Sequence, residues 1–225
     1  MMSLKHFKEY SVTEPIEKVF VVENFAKTDE IETILNFINK STQKDWEEEY
    51  LNNLIIFCKK KFNRTDVDNL IKEGLFEITE NWSDKVIRLD KEEKVNIVNM
   101  KLKQKLRKIL YSLNENLESN FQILQRMQPG VELQAHFDNY TDKSIKYAGI
   151  LYVNDNYNGG ELFFTNKNFQ IKPKSGTIVF FPGTEEYHHG VKMVLDGPTR
   201  YCIPGFIKTK SFYDNKKVDS SYNLS

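Results

Sequence analysis

The chain has 225 residues, with 32 lysines and arginines balanced by 32 aspartates and glutamates, so its formal net charge is zero. This length is sufficient for one sizeable core, and the balanced charge provides no overall positive field to hold a nucleic-acid backbone. The two cysteines, Cys58 and Cys202, fit no metal or redox spacing. We therefore expect one domain with buried free thiols, and we do not expect nucleic acid as a partner.

The sequence shows neither a secretory signal nor a membrane-spanning segment. The first fifteen residues, MMSLKHFKEYSVTEP, are polar and lack the apolar stretch of a secretory signal. No apolar run approaches the roughly 18 residues that a membrane span needs. We therefore expect a cytoplasmic protein that does not associate with a membrane.

The first half of the chain carries apolar residues at helical spacing. A short strand over residues 19–25 precedes a helix with Thr28 as its N-cap, and a second helix covers residues 44–62. A third, shorter helix runs from residue 66 to 72, and the strongest pattern predicts a helix over 91–117. Residues 63–90 are predicted to include a mobile loop. These apolar stripes indicate core packing and carry no functional weight.

The second half, from Phe121 onward, has the pattern of short strands. Turn signals rich in Gly, Pro and Asn separate eight apolar or alternating segments: FQILQRM, VELQAHF, KYAGILYV, GELFF, FQIKP, GTIVFFP, HGVKMV and RYCIPGFI. Strands at this spacing predict a sandwich or barrel, with the jelly roll as the leading arrangement. We predict a single α+β domain over 1–225, comprising a mainly helical part (1–118), a jelly-roll core (119–210) and a tail (211–225).

Four polar residues in this half could form a metal site. If LQAHFDNY continues as a strand, His136 and Asp138 share one face while Phe137 points into the opposite layer. His188 or His189 could supply a third ligand. Two imidazoles and one carboxylate form the facial triad of non-heme Fe(II) oxygenases. A His-x-Asp pair by itself is more often a solvated strand face, so the later histidines decide the interpretation.

An arginine follows these histidines at the start of the last apolar segment. Arg200 begins the last apolar segment, eleven residues after His189. Its planar guanidinium suits a carboxylate and could anchor the far end of a dicarboxylic cosubstrate. The alternative role, a surface ion pair, would be unusual at the start of an apolar strand.

These segments in this order resemble the 2-oxoglutarate- and Fe(II)-dependent oxygenases, and within them the prolyl 4-hydroxylase-like branch. The resemblance rests on RMQPGVELQAHFDNY, ILYVNDNYNGGELFF, IKPKSGTIVFFPGTEEYHHGV and GPTRYCIPGFI, and it covers roughly residues 121–208. It implies a double-stranded β-helix (jelly-roll) core with the N-terminal helices packed on one sheet. It also implies iron ligation by His136, Asp138 and His189, and binding of 2-oxoglutarate by Arg200 and Tyr152, with the three ligands and Arg200 as the catalytic set.

The activity implied by this resemblance is hydroxylation of a C–H bond with Fe(II), 2-oxoglutarate and O2, with ascorbate as an additional reductant. The substrate favoured by the branch is a peptidyl proline in a peptide or protein. The alternatives are the same chemistry on a free amino acid or small-molecule metabolite, or a jelly-roll module that binds a metal or ligand without turnover. Two departures from the family pattern are Met127, where relatives often have tyrosine, and Phe206, where nucleic-acid demethylases have a second arginine.

Overall fold

The fold consists of antiparallel sheets with helices on the outer side of the largest one. The structure is a computed structural model. It describes residues 10–46, 55, 58–59, 62–74, 85–112, 117–140 and 142–209. The helices are α1 (Thr28–Lys40), α2 (Val67–Lys72) and α3 (Glu93–Ser112). The strands are β1 (Val12–Ile16), β2 (Val19–Val22), β3 (Lys85–Arg88), β4 (Leu117–Ser119), β5 (Ile123–Met127), β6 (Leu133–His136), β7 (Ile145–Tyr152), β8 (Asn158–Gly159), β9 (Leu162–Phe164), β10 (Phe169–Ile171), β11 (Ile178–Pro182), β12 (His189–Val191), β13 (Val194–Leu195) and β14 (Arg200–Thr209).

The larger sheet has eight strands and the smaller one has four. The larger sheet follows the order β1-β2-β11-β7-β14-β5-β3, and β4 also pairs with β14. The smaller sheet follows the order β10-β9-β12-β6, and β8 and β13 form a separate pair. Neighbouring strands in sequence are often not neighbours in a sheet, which is typical of jelly rolls. The predicted α+β class with a jelly-roll core is confirmed.

Side-chain alternation in the larger sheet separates two apolar layers. On β11, Ile178 and Phe180 belong to the cluster that includes the helices, whereas Val179 and Phe181 pack with residues of the smaller sheet such as Phe164. This follows from the period of two in an extended chain, because a strand buried on both faces needs apolar residues at every position. All five residues of β11 are accordingly buried.

Helices α1 and α3 cover the outer face of the larger sheet, as predicted. Their buried apolar residues belong to the same core cluster as the sheet residues Leu151 and Ile203. Between the helices, Glu30 accepts a hydrogen bond from Lys105 Nζ at 2.5 Å, and it also accepts the backbone N–H of Lys27 at the start of α1. The charged contact therefore fixes the beginning of one helix against the side of the other. None of the described helices is long and apolar enough to cross a membrane.

Several element boundaries differ from the predicted ones. Helix α1 begins at Thr28 with Lys27 as its N-cap, so Thr28 does not cap it. The predicted long helix is α3, which the structure describes only to Ser112, and Leu117 belongs to β4. The third predicted helix corresponds to α2. Most of the predicted helix 44–62, residues 75–84 of the predicted loop, and the tail 211–225 lie outside the described residues.

Candidate active site

The two histidines His136 and His189 are direct cross-strand partners in the smaller sheet. His136 is the last residue of β6 and His189 the first residue of β12, and their ring centroids lie 4.7 Å apart. Strand β6 ends before Asp138, which begins a short 3-10 turn over Asp138–Tyr140. The prediction that strand alternation places His136 and Asp138 on one face is therefore wrong in its reason. The turn, held by the Asn139 N–H on the Gly183 carbonyl at 2.9 Å, brings the carboxylate to the histidines instead.

The three side chains converge on one point. One ligand atom from each of His136, Asp138 and His189 lies within 4.8 Å of the other two. The Nε2 atoms of the histidines lie 3.7 Å and 3.6 Å from different carboxylate oxygens of Asp138. These separations exceed hydrogen-bond length, so the groups face one another without bonding directly.

Backbone carbonyls orient both imidazole rings. His136 Nδ1 lies 2.9 Å from the Gln134 carbonyl, and His189 Nδ1 lies 2.9 Å from the Tyr187 carbonyl. Because a carbonyl oxygen only accepts, each Nδ1 must carry the proton and donate it. In its neutral form each ring therefore presents its Nε2 lone pair toward Asp138, which is the arrangement that metal-binding histidines adopt.

The electrostatics of this cluster favour a cation. The Asp138 side chain is only 7 % exposed, and its Oδ2 atom has no hydrogen-bond partner within the described part of the chain. The Asp138 carboxylate raises the pKa of His136, and burial lowers the pKa of His189. A buried carboxylate oxygen without a hydrogen-bond partner is costly unless a positive charge lies beside it. The donor set fits a divalent metal such as Fe(II).

The adjacent histidine has a different environment. His188 Nδ1 lies 3.0 Å from Thr165 Oγ1, and its ring lies 6.3 Å from that of Phe137. His188 is therefore engaged outside the cluster. Phe137 is half-buried and packs edge-on against the exposed Tyr140 at 5.6 Å, so the expectation that it points into the opposite layer is wrong.

The second charged group of the site is the buried guanidinium of Arg200. Arg200 is the first residue of β14, pairs with Met127 of β5 and is only 1 % exposed. Its Nη1 contacts two sulfur atoms, Met127 Sδ at 3.3 Å and Cys202 Sγ at 3.2 Å, which are weak acceptors. Nε and Nη2 have no hydrogen-bond partner among the residues described. A buried guanidinium in this state lacks an anion, and a carboxylate would satisfy it.

Two tyrosines lie against this guanidinium. The Arg200 Cζ atom lies 5.1 Å from the ring centroid of Tyr152 and 5.9 Å from that of Tyr157. Both hydroxyls are buried and neither has a hydrogen bond of good geometry in the described structure. Burial raises the pKa of both tyrosines, so both hydroxyls remain protonated donors. The sequence prediction included Tyr152 and missed Tyr157, whose signal was a single aromatic residue inside the polar turn NDNYNGG.

Gly160 allows this close packing. Its φ is +67°, and a Cβ atom at this position would lie 3.0 Å from the Tyr157 ring and 3.1 Å from Arg200 Cδ. Any other residue would be strained in backbone conformation and would crowd both side chains. The glycine therefore permits Tyr157 and the Arg200 stem to approach the same turn.

One cavity contains both the three candidate metal ligands and Arg200. It has a volume of about 310 Å³, and His136, Asp138, His189 and Arg200 all line it. The remaining lining residues are uncharged: Asn120, Gln122, Ile123, Gln125, Leu133, Ala148, Gly149, Ile150, Phe181, Val191, Cys202, Pro204, Gly205 and Phe206. The predicted ligands and the predicted anchoring arginine thus share one pocket, and Phe206 lies at its wall.

Comparison with known proteins agrees with this arrangement. Residues 122–208 match the family described as the 2OG-Fe(II) oxygenase superfamily. A stretch of 56 residues is 43 % identical to prolyl 3-hydroxylase 3 of Mus musculus, although it spans only 23 % of this chain and 8 % of that protein. The fold resembles that of a viral collagen prolyl hydroxylase from Paramecium Bursaria Chlorella virus-1, with a TM-score of 0.57, 17 % identity, and coverage of 86 % of this chain and 96 % of that one.

A bacterial structure gives a similar result. A prolyl-4-hydroxylase of Pseudomonas putida has a TM-score of 0.54 and 17 % identity, covering 86 % of this chain and 93 % of its own. Identity at this level shows a shared fold. Residues 122–208 therefore match the 2OG-Fe(II) oxygenase superfamily, and the fold is similar to that of the two prolyl hydroxylases.

Proposed function

We propose that the protein is a 2-oxoglutarate- and Fe(II)-dependent oxygenase that hydroxylates a peptidyl proline. The proposal rests on the unsatisfied buried groups around one cavity. Asp138 Oδ2 at one end needs a cation, whereas Arg200 Nε and Nη2 at the other end need an anion. A divalent metal together with a dicarboxylic 2-oxo acid would satisfy both ends at once.

Each residue of the site has a defined role in this proposal. His136, Asp138 and His189 hold the metal through Nε2, a carboxylate oxygen and Nε2, and the Gln134 and Tyr187 carbonyls keep the rings in position. Arg200 binds the distal carboxylate of 2-oxoglutarate with the help of the Tyr152 hydroxyl. When bound, the metal supplies oxidation of a C–H bond with O2 while 2-oxoglutarate is converted to succinate and carbon dioxide. The apolar walls exclude water around the reacting groups.

The pocket wall supports a peptide over a free amino acid. Apart from the three candidate ligands and Arg200, no charged side chain lines the cavity among the residues described. A free amino acid carries an ammonium and a carboxylate that would need charged or strongly polar partners. A proline ring within a peptide is uncharged and suits walls formed by Ile123, Ile150 and Phe206. The carboxamides of Asn120 and Gln122, both exposed at the cavity, could bond to peptide groups beside it.

The direct test is turnover with defined peptides. Purified protein is incubated with Fe(II), 2-oxoglutarate and ascorbate, with a proline-rich peptide or with the same peptide carrying alanine at each proline. We expect succinate release and a peptide mass gain of one oxygen atom only with the proline peptide. Free proline and other amino acids serve as the competing substrates.

Two variants complete the test. His136→Ala should abolish turnover because it removes a candidate metal ligand, whereas His188→Ala should retain it because His188 is bonded to Thr165 outside the cluster. Turnover of free amino acids in preference to peptides would overturn the proposed substrate. Absence of both metal-dependent 2-oxoglutarate binding and turnover would overturn the proposed enzyme.

A further inference from the structure

We propose that Tyr157 is a second hydroxyl donor for the distal carboxylate of the cosubstrate, acting with Arg200 and Tyr152 to select a dicarboxylic 2-oxo acid. This inference rests on the proposed function, because it takes 2-oxoglutarate as the cosubstrate of the same cavity. It adds a specificity-determining residue that lies outside the set predicted from the sequence.

The first argument is the state of the Tyr157 hydroxyl. The residue is 1 % exposed, and its oxygen has no hydrogen-bond partner of good geometry in the described part of the chain. Leaving a buried hydroxyl unpaired is unfavourable, so such a group indicates a partner that arrives later. The Arg200 guanidinium beside it is equally unsatisfied, so one partner that accepts from both groups would satisfy them together. A carboxylate has enough lone pairs to do so.

The second argument is that the ring is held in place before any ligand binds. One face of Tyr157 receives the Lys172 ammonium at 4.7 Å from its centroid, and Lys172 Nζ also donates to the Tyr157 carbonyl. The ring packs in an apolar cluster with Met127, Val191 and Val194. Gly160 lies close to the ring, since a Cβ atom at this position would be 3.0 Å from it. A donor fixed in this way loses little conformational freedom on binding, which favours affinity.

A purely structural role predicts a different result. If Tyr157 served only to fill space, its hydroxyl would be an unpaired polar group, and Tyr157→Phe would leave ligand binding unchanged. If it served to position Arg200 through its ring, Phe would again suffice, since the ring is retained. A hydroxyl that acts on the distal carboxylate makes the change from Tyr to Phe specific for that carboxylate, whereas a ring that only fills space does not.

The experiment compares two 2-oxo acids of equal chain length on the full chain loaded with Mn(II), which allows binding to be measured without turnover. 2-Oxoglutarate carries the distal carboxylate, whereas 2-oxopentanoate has a methyl group in its place. Isothermal titration calorimetry gives the affinity of each acid for the wild type, Tyr157→Phe and Tyr201→Phe. Tyr201 is the matched control because it neighbours Arg200 on β14 but packs toward Trp46 in the helical layer.

We expect Tyr157→Phe to weaken 2-oxoglutarate binding by about 10- to 100-fold, the effect of one lost hydrogen bond to a charged group. Its affinity for 2-oxopentanoate should stay within about twofold of the wild-type value, and Tyr201→Phe should change neither. The melting temperature of ligand-free Tyr157→Phe should be equal to or higher than that of the wild type, because an unpaired buried hydroxyl has been removed.

Three outcomes would overturn the inference. Unchanged 2-oxoglutarate affinity in Tyr157→Phe would show that the hydroxyl does not contact the ligand. Equal weakening for both acids, or a lowered melting temperature of the ligand-free variant, would assign Tyr157 a structural role. If the wild type with Mn(II) binds neither acid, the proposed function fails as well, whereas normal wild-type binding with an unaffected variant overturns the Tyr157 inference alone.

Discussion

Replacing His189 with alanine, and separately its neighbour His188, tests which imidazole binds the metal. His189 is 4 % exposed, faces Asp138 through Nε2 and is oriented by the Tyr187 carbonyl. His188 bonds to Thr165 and lies outside the cluster. Because the two residues are adjacent and chemically identical, each variant serves as the control for the other.

The expected magnitude follows from binding thermodynamics. A metal present at 100 times its Kd stabilises the folded state by about 2.7 kcal/mol. For a chain of this size, 1 kcal/mol corresponds to roughly 2–4 °C in Tm, so Mn(II) should raise the wild-type Tm by about 5–10 °C. His189→Ala should abolish this increase. It should also lower the metal-free Tm, because it empties a position that packs against the Phe181 ring at 4.5 Å.

His188→Ala should behave differently. It loses the hydrogen bond with Thr165, which is worth about 0.5–1.5 kcal/mol, so its metal-free Tm should fall by a few degrees at most. The increase on adding Mn(II) should remain. The assay is thermal unfolding followed by circular dichroism at matched protein and metal concentrations. A retained increase in His189→Ala with a lost increase in His188→Ala would refute the assignment, and a retained increase in both would refute metal binding by these histidines.

Three further predictions concern other parts of the molecule. Arg200→Met should weaken 2-oxoglutarate binding by about 30-fold or more in calorimetry while the ligand-free Tm rises, because it removes a buried charge whose contacts are sulfur atoms; an unchanged affinity would refute the anchoring role. The hydrogen bond from Lys208 lowers the pKa of Asp142 to about 2, so the contribution to stability is present above its ordinary value of 3.8 and disappears as the pH falls toward 2. Asp142→Asn should therefore be less stable than the wild type in urea at neutral pH, with the difference shrinking near pH 2; a constant difference would contradict this. Gly160→Ala should lower both Tm and 2-oxoglutarate affinity, since φ is +67° and the new methyl group would crowd Arg200; unchanged affinity would show that the arginine tolerates displacement.

The sequence predicted the chemical content of the site better than its local geometry. The types and order of His136, Asp138, His189 and Arg200 are visible in the chain, and the structure brings all four to one cavity. Strand alternation, however, was the wrong reason for Asp138, because β6 ends at His136 and a 3-10 turn follows. A turn of this kind is stabilised by a tertiary contact, here from Asn139 to Gly183, and periodicity carries no information about such contacts.

Tyr157 was missed in the sequence analysis for a similar reason. Tyr157 lies in a turn, where apolar periodicity does not apply, and its burial depends on Lys172, Gly160 and a cluster of residues distant in sequence. The jelly roll itself was predictable because its strands are short alternating or apolar segments separated by turn residues. The functional roles of the site residues, the domain limits and the cytoplasmic location stay predictions.

Because His136 and His189 are direct cross-strand partners, binding of a metal by both would be coupled to the stability of the β6–β12 pairing. Strand β6 is the outermost strand of the smaller sheet and pairs only with β12 among the described strands. A metal held by both histidines would join these two strands through their side chains, in addition to their backbone hydrogen bonds. By thermodynamic linkage, a change that weakens the β6–β12 pairing would lower metal affinity even if it touched no ligand, and metal binding would protect the β6 amides from hydrogen exchange. The edge strand and a metal bound by these two histidines would therefore stabilise each other.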